Sequence, residues 1–208
     1  MDVKKLLQRN RQWAEKIKEG DPDFFVRLAK EQRPQFLWLG CSDSRVPAVE
    51  VVDLRPGSIF EHRNIANMVI HSDFNCLAVV HYAVEVLGVR DIVVCGHYGC
   101  GGIRAAMEEK VHGLIDNWLC HIKDVYRYHQ EKIDVVGDED DKMNLLCEIN
   151  VAEQVANLCR TTVVLNAWKS GRDLSVHGWV YDIGSGLLKD LGVSASSAEG
   201  VSSAHRFK

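Results

Sequence analysis

Apolar residues recur along the chain with two different periods, and their alternation predicts an α/β fold. Short continuous apolar runs predict buried strands at 36–40, 58–62, 91–95 and 174–181, with a return strand at 187–189. Apolar positions three and four residues apart predict helices at 3–18, 22–32, 47–53, 73–87, 101–109, 113–130 and 143–159, the last continuing towards 168. The order strand, helix, strand over 58–95 is that of a parallel βαβ unit.

These elements predict a single domain spanning residues 1–208. We expect a mainly parallel, mixed β-sheet of four to five strands flanked by helices. Residues 1–32 place apolar positions among Lys, Arg and Gln, so we expect these N-terminal helices to pack on a partner subunit. Residues 194–208 are rich in Ser and Ala without an apolar period, which predicts a weakly ordered tail.

Composition and charge narrow the class of protein. A hydrophobic fraction of 46% is ordinary for a soluble domain, and a net charge of −4 gives no reason to expect nucleic acid or an anionic membrane as a partner. No apolar run approaches the ~20 residues of a membrane span, and the first residues lack the apolar core of a secretory signal. The 7 cysteines are odd in number and scattered, which predicts a reducing, cytoplasmic location.

Candidate chemistry lies at the ends of two predicted strands. Cys41, Asp43 and Arg45 directly follow the strand at 36–40, and the strand at 91–95 runs into His97 and Cys100. In open α/β sheets, sites form at the carboxyl ends of strands, so neighbouring strand ends would bring Cys41, His97 and Cys100 together. Two thiolates and one imidazole suit Zn²⁺, which leaves a fourth position for water or for Asp43.

The remaining cysteines have a simpler interpretation. We expect Cys95, in a strand, and the helical cysteines to be buried small hydrophobes; the helical set is Cys76, Cys120, Cys147 and Cys159. Asp43 and Arg45 allow two interpretations: an ordinary ion pair, or a switch in which Asp43 either closes the zinc site or pairs with Arg45. In the second, Asp43 stays ionised and accepts a hydrogen bond from a zinc-bound hydroxide, and activity rises towards alkaline pH because thiolates leave the bound water less acidic.

The paired motifs resemble those of β-class carbonic anhydrases. The resemblance rests on Cys41-Ser-Asp-Ser-Arg45 and Gly96-His-Tyr-Gly-Cys-Gly-Gly102, extends through 62–67 and 177–179, and covers roughly residues 1–192. It implies Zn²⁺ bound by Cys41, His97 and Cys100, with the Asp43–Arg45 dyad beside it. It also implies reversible hydration of CO₂ to bicarbonate and a proton, by a homodimer or a homotetramer.

The resemblance assigns two further groups of residues. Gln32 falls where the family has a glutamine lining the substrate pocket, and Val46 and Tyr82 would form the apolar wall against CO₂. In the bacterial, bicarbonate-sensitive branch, three residues form a non-catalytic bicarbonate pocket, and those matching them here are Trp38, Arg63 and Tyr181. This predicts that bicarbonate and low pH favour a state with Asp43 on the zinc.

The candidate site has three alternative functions, which differ in the motifs that they require. A nucleobase deaminase would need His-x-Glu followed by Pro-Cys-x-x-Cys, and this pairing is absent. A nucleotide-binding site would need the phosphate-loop spacing and its Lys, and both are absent. A closed structural zinc site formed with Asp43 is the non-enzymatic alternative.

Bacterial members commonly end in a further apolar helix that this sequence lacks, which favours the dimer over the tetramer. The proton shuttle is not singled out among His62, His71, His112, His121 and His129.

Overall fold

The computed structural model describes residues 2–200, and it divides into two compact units at Arg33 and Pro34. The N-terminal unit contains helix α1 (Val3–Gly20) and the short helix α2 (Phe24–Leu28). Asp2 caps α1 by accepting a hydrogen bond from the Lys4 N–H. None of the α1 side chains is buried, and its apolar residues Leu6, Leu7 and Trp13 are exposed. This helix therefore has an apolar face that its own unit leaves largely uncovered.

The second unit forms the expected α/β domain, and its elements alternate along the chain. Its strands are β1 (Phe36–Cys41), β2 (Ile59–Asn64), β3 (Asp91–His97), β4 (Ser175–Asp182) and β5 (Leu187–Asp190). Its α-helices are α3 (Ala48–Val51), α4 (Phe74–His81), α5 (Gly101–Met107), α6 (Asp116–Tyr128), α7 (Gln130–Asp134), α8 (Glu139–Cys159) and α9 (Thr162–Lys169). Two 3₁₀ turns (Ile65–Asn67 and Gly113–Ile115) and a π-helical stretch (Tyr82–Val86) complete the described elements.

The described strands form one sheet in the order β2-β1-β3-β4-β5. The first four are parallel, and β5 returns antiparallel to β4 as a hairpin. In the β1–β3 register, Phe36 lies opposite Asp91 and Gly40 lies opposite Cys95. The carboxyl ends of β1 and β3 are therefore neighbours, which is the arrangement that the candidate chemistry requires.

Helix α8 is the main element packed on one face of the sheet. It is buried on nearly all sides, and its Val151 and Val155 join the core formed with Leu37, Leu39 and Ile92. Two strand glycines allow this close approach. A Cβ at Gly96 would lie 2.6 Å from the Val151 side chain, and a Cβ at Gly178 would lie 3.1 Å from the Val155 side chain. The side chains of α8 thus pack directly against the backbone of β3 and β4.

The structure corrects several expected boundaries and one expected pairing. β2 and β3 are parallel, but β1 lies between them, so the 58–95 unit does not form an adjacent pair. The helix expected at 22–32 is only α2, because Asp21 ends α1 and Asp23 precedes the next turn. The helix expected to continue from α8 towards 168 breaks at Thr161, whose hydroxyl caps α9 by accepting from the Val164 N–H.

The expected weakly ordered tail begins with paired backbone. Ala195 exchanges two backbone hydrogen bonds with Val176, at 2.8 and 2.9 Å, and is almost fully buried. The part of the tail at 201–208 lies outside the described residues. Among the described helices, none combines the length and the apolar character that crossing a bilayer demands.

Candidate metal centre

The three predicted metal ligands converge at the carboxyl ends of β1 and β3. Cys41 is the last residue of β1, His97 is the last residue of β3, and Cys100 precedes the first turn of α5. The two sulfur atoms are 3.9 Å apart, and the candidate ligand atoms of the three residues all lie within 4.8 Å of one another. All three side chains are buried. Among the described residues, these three side chains form the cluster of possible ligands that is compact enough to hold a metal ion.

The geometry and the hydrogen bonding of the cluster fit a bound metal. Two thiolates at ~2.3 Å from a tetrahedral zinc would lie about 3.8 Å apart, close to the observed separation. His97 Nδ1 lies 3.0 Å from the Tyr98 carbonyl oxygen and donates its hydrogen to it. This leaves the Nε2 lone pair facing the cysteines, and Nε2 is buried with no hydrogen-bond partner among the described residues. A buried imidazole nitrogen of this kind is suited to ligate a metal.

The two thiols affect each other strongly. The Cys100 thiol donates to the Cys41 sulfur, which lowers the pKa of Cys41 and raises that of Cys100. Hydrogen bonds from the backbone N–H groups of Asp43 and Ala66 lower the pKa of Cys41 further. A divalent cation could take the place of the hydrogen bond between the two sulfur atoms.

Asp43 and Arg45 form a bidentate ion pair beside the cluster. Arg45 Nε donates to Asp43 Oδ1 at 2.9 Å, and Nη2 donates to Oδ2 at 2.7 Å. This pairing holds the pKa of Asp43 well below its usual range. Asp43 Oδ2 is also 3.7 Å from His97 Nε2, so the carboxylate borders the metal cluster while Arg45 holds it. The ion pair that both interpretations of these two residues expected is thus present, and the switch stays a prediction.

Comparisons with known proteins agree on one family. The sequence profile described as carbonic anhydrase matches residues 36–188. A carbonic anhydrase of Emericella nidulans is 44% identical over 189 residues, which are 91% of this chain and 83% of that protein. A tetrameric β-carbonic anhydrase of the filamentous ascomycete Sordaria macrospora superimposes with a TM-score of 0.88 and 39% identity, covering 91% of this chain and 96% of that one.

The chain belongs to the β-carbonic anhydrase family. A Coccomyxa β-carbonic anhydrase, solved with acetazolamide, aligns with a TM-score of 0.93 and 35% identity over 97% of this chain and 91% of that one. Carbonic anhydrase is therefore the enzyme class, and the deaminase and nucleotide-binding alternatives are set aside. The bacterial, bicarbonate-sensitive branch remains a prediction, since the relatives at high identity include fungal proteins.

The residues expected to form the bicarbonate pocket of this carbonic anhydrase have defined contacts. Trp38 and Tyr181 belong to one apolar cluster on the sheet face opposite the main core, where the Trp38 ring meets that of Trp179 edge-on. Arg63 lies opposite Gly40 in the register of β2 and β1. Its guanidinium donates to the carbonyl oxygens of Cys41 at 2.8 Å and Asp43 at 2.5 Å. Arg63 therefore holds the metal-binding loop directly.

The residues expected to contact substrate are only partly brought together. Val46 is buried one residue beyond the ion pair, and Tyr82 is half-exposed and stacked on Phe60. Gln32 is exposed in the N-terminal unit. A cavity of about 770 Å³ opens beside Ser42 of the metal-binding loop, and Val46 and Tyr82 lie outside its lining. The lining residues are Ser42, His62, Asn64, Ile65, Asp73, Asn75, Leu114, Ile115, Asn117 and Trp118.

Among the candidate proton carriers, His62 is the one buried beside this cavity, and burial lowers its pKa. The others are held elsewhere: His71 at the Asn157 carbonyl, His112 near Glu108, His121 against Trp118 and His129 at Glu153. The shuttle therefore stays open among them.

The other cysteines follow the simpler interpretation with one exception. Burial raises the pKa of Cys76, Cys147 and Cys159 to about 12, so these thiols stay neutral. Burial also raises the pKa of Cys95. Cys120 is exposed, which contradicts its expected burial. It lies on the solvent side of α6, whereas Leu119 and Ile122 of the same helix face the core.

Sequence reasoning missed the buried polar side chains that surround the cluster. Asn150 and Gln154 of α8 are fully buried, and Asn150 donates to the Ala66 carbonyl oxygen. Tyr98, which follows His97, donates to Glu148 of the same helix, and Lys189 of β5 reaches the same carboxylate. Polar residues that lie among the apolar positions of the predicted helix 143–159 were the available signal, because such residues need a partner when buried.

Removing one ligand tests the metal cluster. We expect Cys100→Ser to weaken Zn²⁺ or Co²⁺ binding at least ~100-fold, because a hydroxyl is a poor replacement for a thiolate at these distances. Competition with a chromophoric chelator measures the affinity. The matched control is Cys120→Ser, which alters an exposed cysteine and should keep one metal per chain. Equal affinities for the two variants would contradict the assignment.

Proposed function

We propose that this carbonic anhydrase holds Zn²⁺ at Cys41, His97 and Cys100 and uses it for the reversible hydration of CO₂ to bicarbonate and a proton. The observation that carries the proposal is the convergence of two sulfur atoms with a buried His97 Nε2 that has no other described partner. Zinc in such a site supplies a Lewis acid that makes water nucleophilic near neutral pH. The remaining chemistry falls to side chains of the chain itself.

Asp43 is the proposed acceptor and gate. Its low pKa keeps the carboxylate ionised, so it can accept a hydrogen bond from the attacking water and orient a lone pair towards CO₂. The Arg45 guanidinium holds this carboxylate through two hydrogen bonds, one to each oxygen. Release of that pair would let Asp43 occupy the fourth zinc position and close the site, since Oδ2 is already 3.7 Å from His97 Nε2.

The substrate itself explains why the proposed wall is apolar. CO₂ carries no charge and gains little from polar groups, so we assign Val46 and Tyr82 to its binding and Gln32 to orientation of the bound oxygen atoms. Tyr82 begins the π-helical stretch Tyr82–Val86, a helical irregularity that is frequent at functional sites.

Substitution of the acceptor tests the proposed reaction. We expect Asp43→Asn to retain zinc but to lower kcat for CO₂ hydration by about 10²-fold, because the amide is uncharged and no longer pairs with Arg45. Stopped-flow hydration of CO₂ with a pH indicator measures the rate. The matched control, Asp91→Asn, removes a carboxylate at the opposite end of β3 and should retain full activity. An Asp43→Asn variant as fast as the parent would refute the role of Asp43.

We also propose that bicarbonate and low pH inhibit the enzyme through Trp38, Arg63 and Tyr181. A bicarbonate ion near Trp38 and Tyr181 would compete for the Arg63 guanidinium with the carbonyl oxygens of Cys41 and Asp43. Loss of those two hydrogen bonds would loosen the metal-binding loop and free Asp43 to move to the zinc. Inhibition would therefore act through the loop conformation: Cys41, His97 and Cys100 would stay on the metal, and Asp43 would join them as a fourth ligand.

A tryptophan substitution separates this proposal from general damage to the apolar cluster. We expect Trp38→Phe to remove the indole N–H donor and to reduce inhibition by bicarbonate several-fold at low pH. Initial rates measured at rising bicarbonate concentration give the inhibition constant. Trp179→Phe alters the other ring of the same edge-on pair and serves as the control. Unchanged bicarbonate sensitivity and pH profile in Trp38→Phe would exclude the pocket.

We further propose that the chain acts as a homo-oligomer in the cytoplasm. The apolar residues of α1 are exposed within their own unit, which suits packing against a second copy, and the related Sordaria macrospora enzyme is tetrameric. The 7 cysteines are free, as a reducing compartment would keep them. The partners are thus CO₂, bicarbonate and further copies of the chain; nucleic acid and membrane are not among them.

A further inference from the structure

The backbone between β2 and α4 has an unusual conformation close to the metal cluster. Ala66 has φ 62° and ψ 33°, and Asn67 has φ 47°, so two successive residues other than glycine are left-handed. Such a conformation is unfavourable for residues with a side chain and persists where the surroundings enforce it. Both residues are buried, which means that their backbone polar groups must find partners within the protein.

Side chains supply such partners for several residues of this segment. Asn64 bonds both the N–H and the carbonyl oxygen of Met68. Trp118 Nε1 donates to the Ile65 carbonyl oxygen at 2.9 Å. The remaining contacts come from three polar residues of α8, which lie on one side of that helix: Asn150, Gln154 and Asn157.

Asn150 and Gln154 form the buried part of this network. Asn150 Nδ2 donates to the Ala66 carbonyl oxygen at 3.0 Å, and Asn150 Oδ1 accepts from Gln154 Nε2 at 3.0 Å. Gln154 Oε1 in turn accepts from the Val69 N–H at 2.8 Å. Because each amide has both ends engaged, the orientation of the Asn150 donor is fixed, and with it the plane of the peptide that follows Ala66.

The result is a backbone donor aimed at a candidate metal ligand. The Ala66 N–H lies 3.4 Å from the Cys41 sulfur atom. A hydrogen bond to a thiolate draws electron density from the sulfur, so the sulfur donates less charge to a metal that it binds. The strained segment thus serves a purpose at the metal centre that an ordinary loop connection would not.

We propose that Asn150, held in place by Gln154, is a positioning residue for the Cys41 ligand. Asn150 fixes the peptide after Ala66, and Trp118, at the Ile65 carbonyl oxygen, fixes the peptide before it; together they direct the Ala66 N–H onto the Cys41 sulfur and so tune this ligand. The inference rests on the proposed metal site. Neither residue of α8 is close to the ligands in sequence, and each acts through the backbone of Ala66.

Cadmium-113 substituted, nitrogen-15 labelled protein provides the test. In the parent protein, a scalar coupling between the cadmium nucleus and the Ala66 amide proton should pass through the N–H···S hydrogen bond. Asn150→Ala should abolish this coupling, and in the Co²⁺-substituted protein it should move the thiolate-to-cobalt absorption band to longer wavelength. Gln154→Ala should reduce the coupling, and it is the second variant if Asn150→Ala fails to fold.

Thr161→Val is the matched control, because it removes a buried hydroxyl that lies beyond the C-terminal end of α8 and caps α9, and it should leave both signals unchanged. Cadmium binding without any coupling at Ala66 in the parent protein, or a coupling that persists in Asn150→Ala, would overturn this inference and leave the metal site standing. Failure of the parent protein to bind cadmium through its thiolates would overturn both.

Discussion

The parallel pairing of β1 with β3 is the contact on which the rest of the structure depends. Its register sets Gly40 against Cys95, and so it brings Cys41, at the end of one strand, beside His97, at the end of the other. A slip by one residue would turn every side chain of β1 to the opposite face and separate the ligands. The core side chains on both faces, with Leu37 and Leu39 on one and Trp38 on the other, oppose such a slip.

The second constraint is the close approach of α8 to the sheet. Gly96 and Gly178 leave the space that Val151 occupies, and this places polar residues of the same helix within reach of the metal-binding region. Glu148 binds Tyr98 on one side of the cluster, and Asn150 binds Ala66 on the other. Arg63 holds the loop between Cys41 and Asp43 from β2. Three side chains, two from α8 and one from β2, therefore hold the segments around the ligands in place.

Much of this arrangement can be predicted from the sequence, because it depends on local pattern. The strands, the positions of Cys41, His97 and Cys100 at strand ends, and the pairing of Asp43 with Arg45 all follow from apolar periodicity and short spacing. The insertion of β1 between β2 and β3 cannot be predicted in that way, since periodicity carries no information on strand order. The left-handed backbone at Ala66 is also hidden, because alanine gives no local sign of it. The exposed Cys120 shows that a helical pattern fixes the buried face only approximately.

We propose that this cluster holds zinc for catalysis, with a coordination position open to water. The decisive experiment is stopped-flow hydration of CO₂ by the zinc-loaded chain and by the metal-stripped chain, scanned from about pH 6.5 to about pH 9. We expect fast hydration that requires zinc and climbs with pH. A flat, near-zero rate at every pH, with one zinc still bound per chain, would contradict it and indicate a closed structural site.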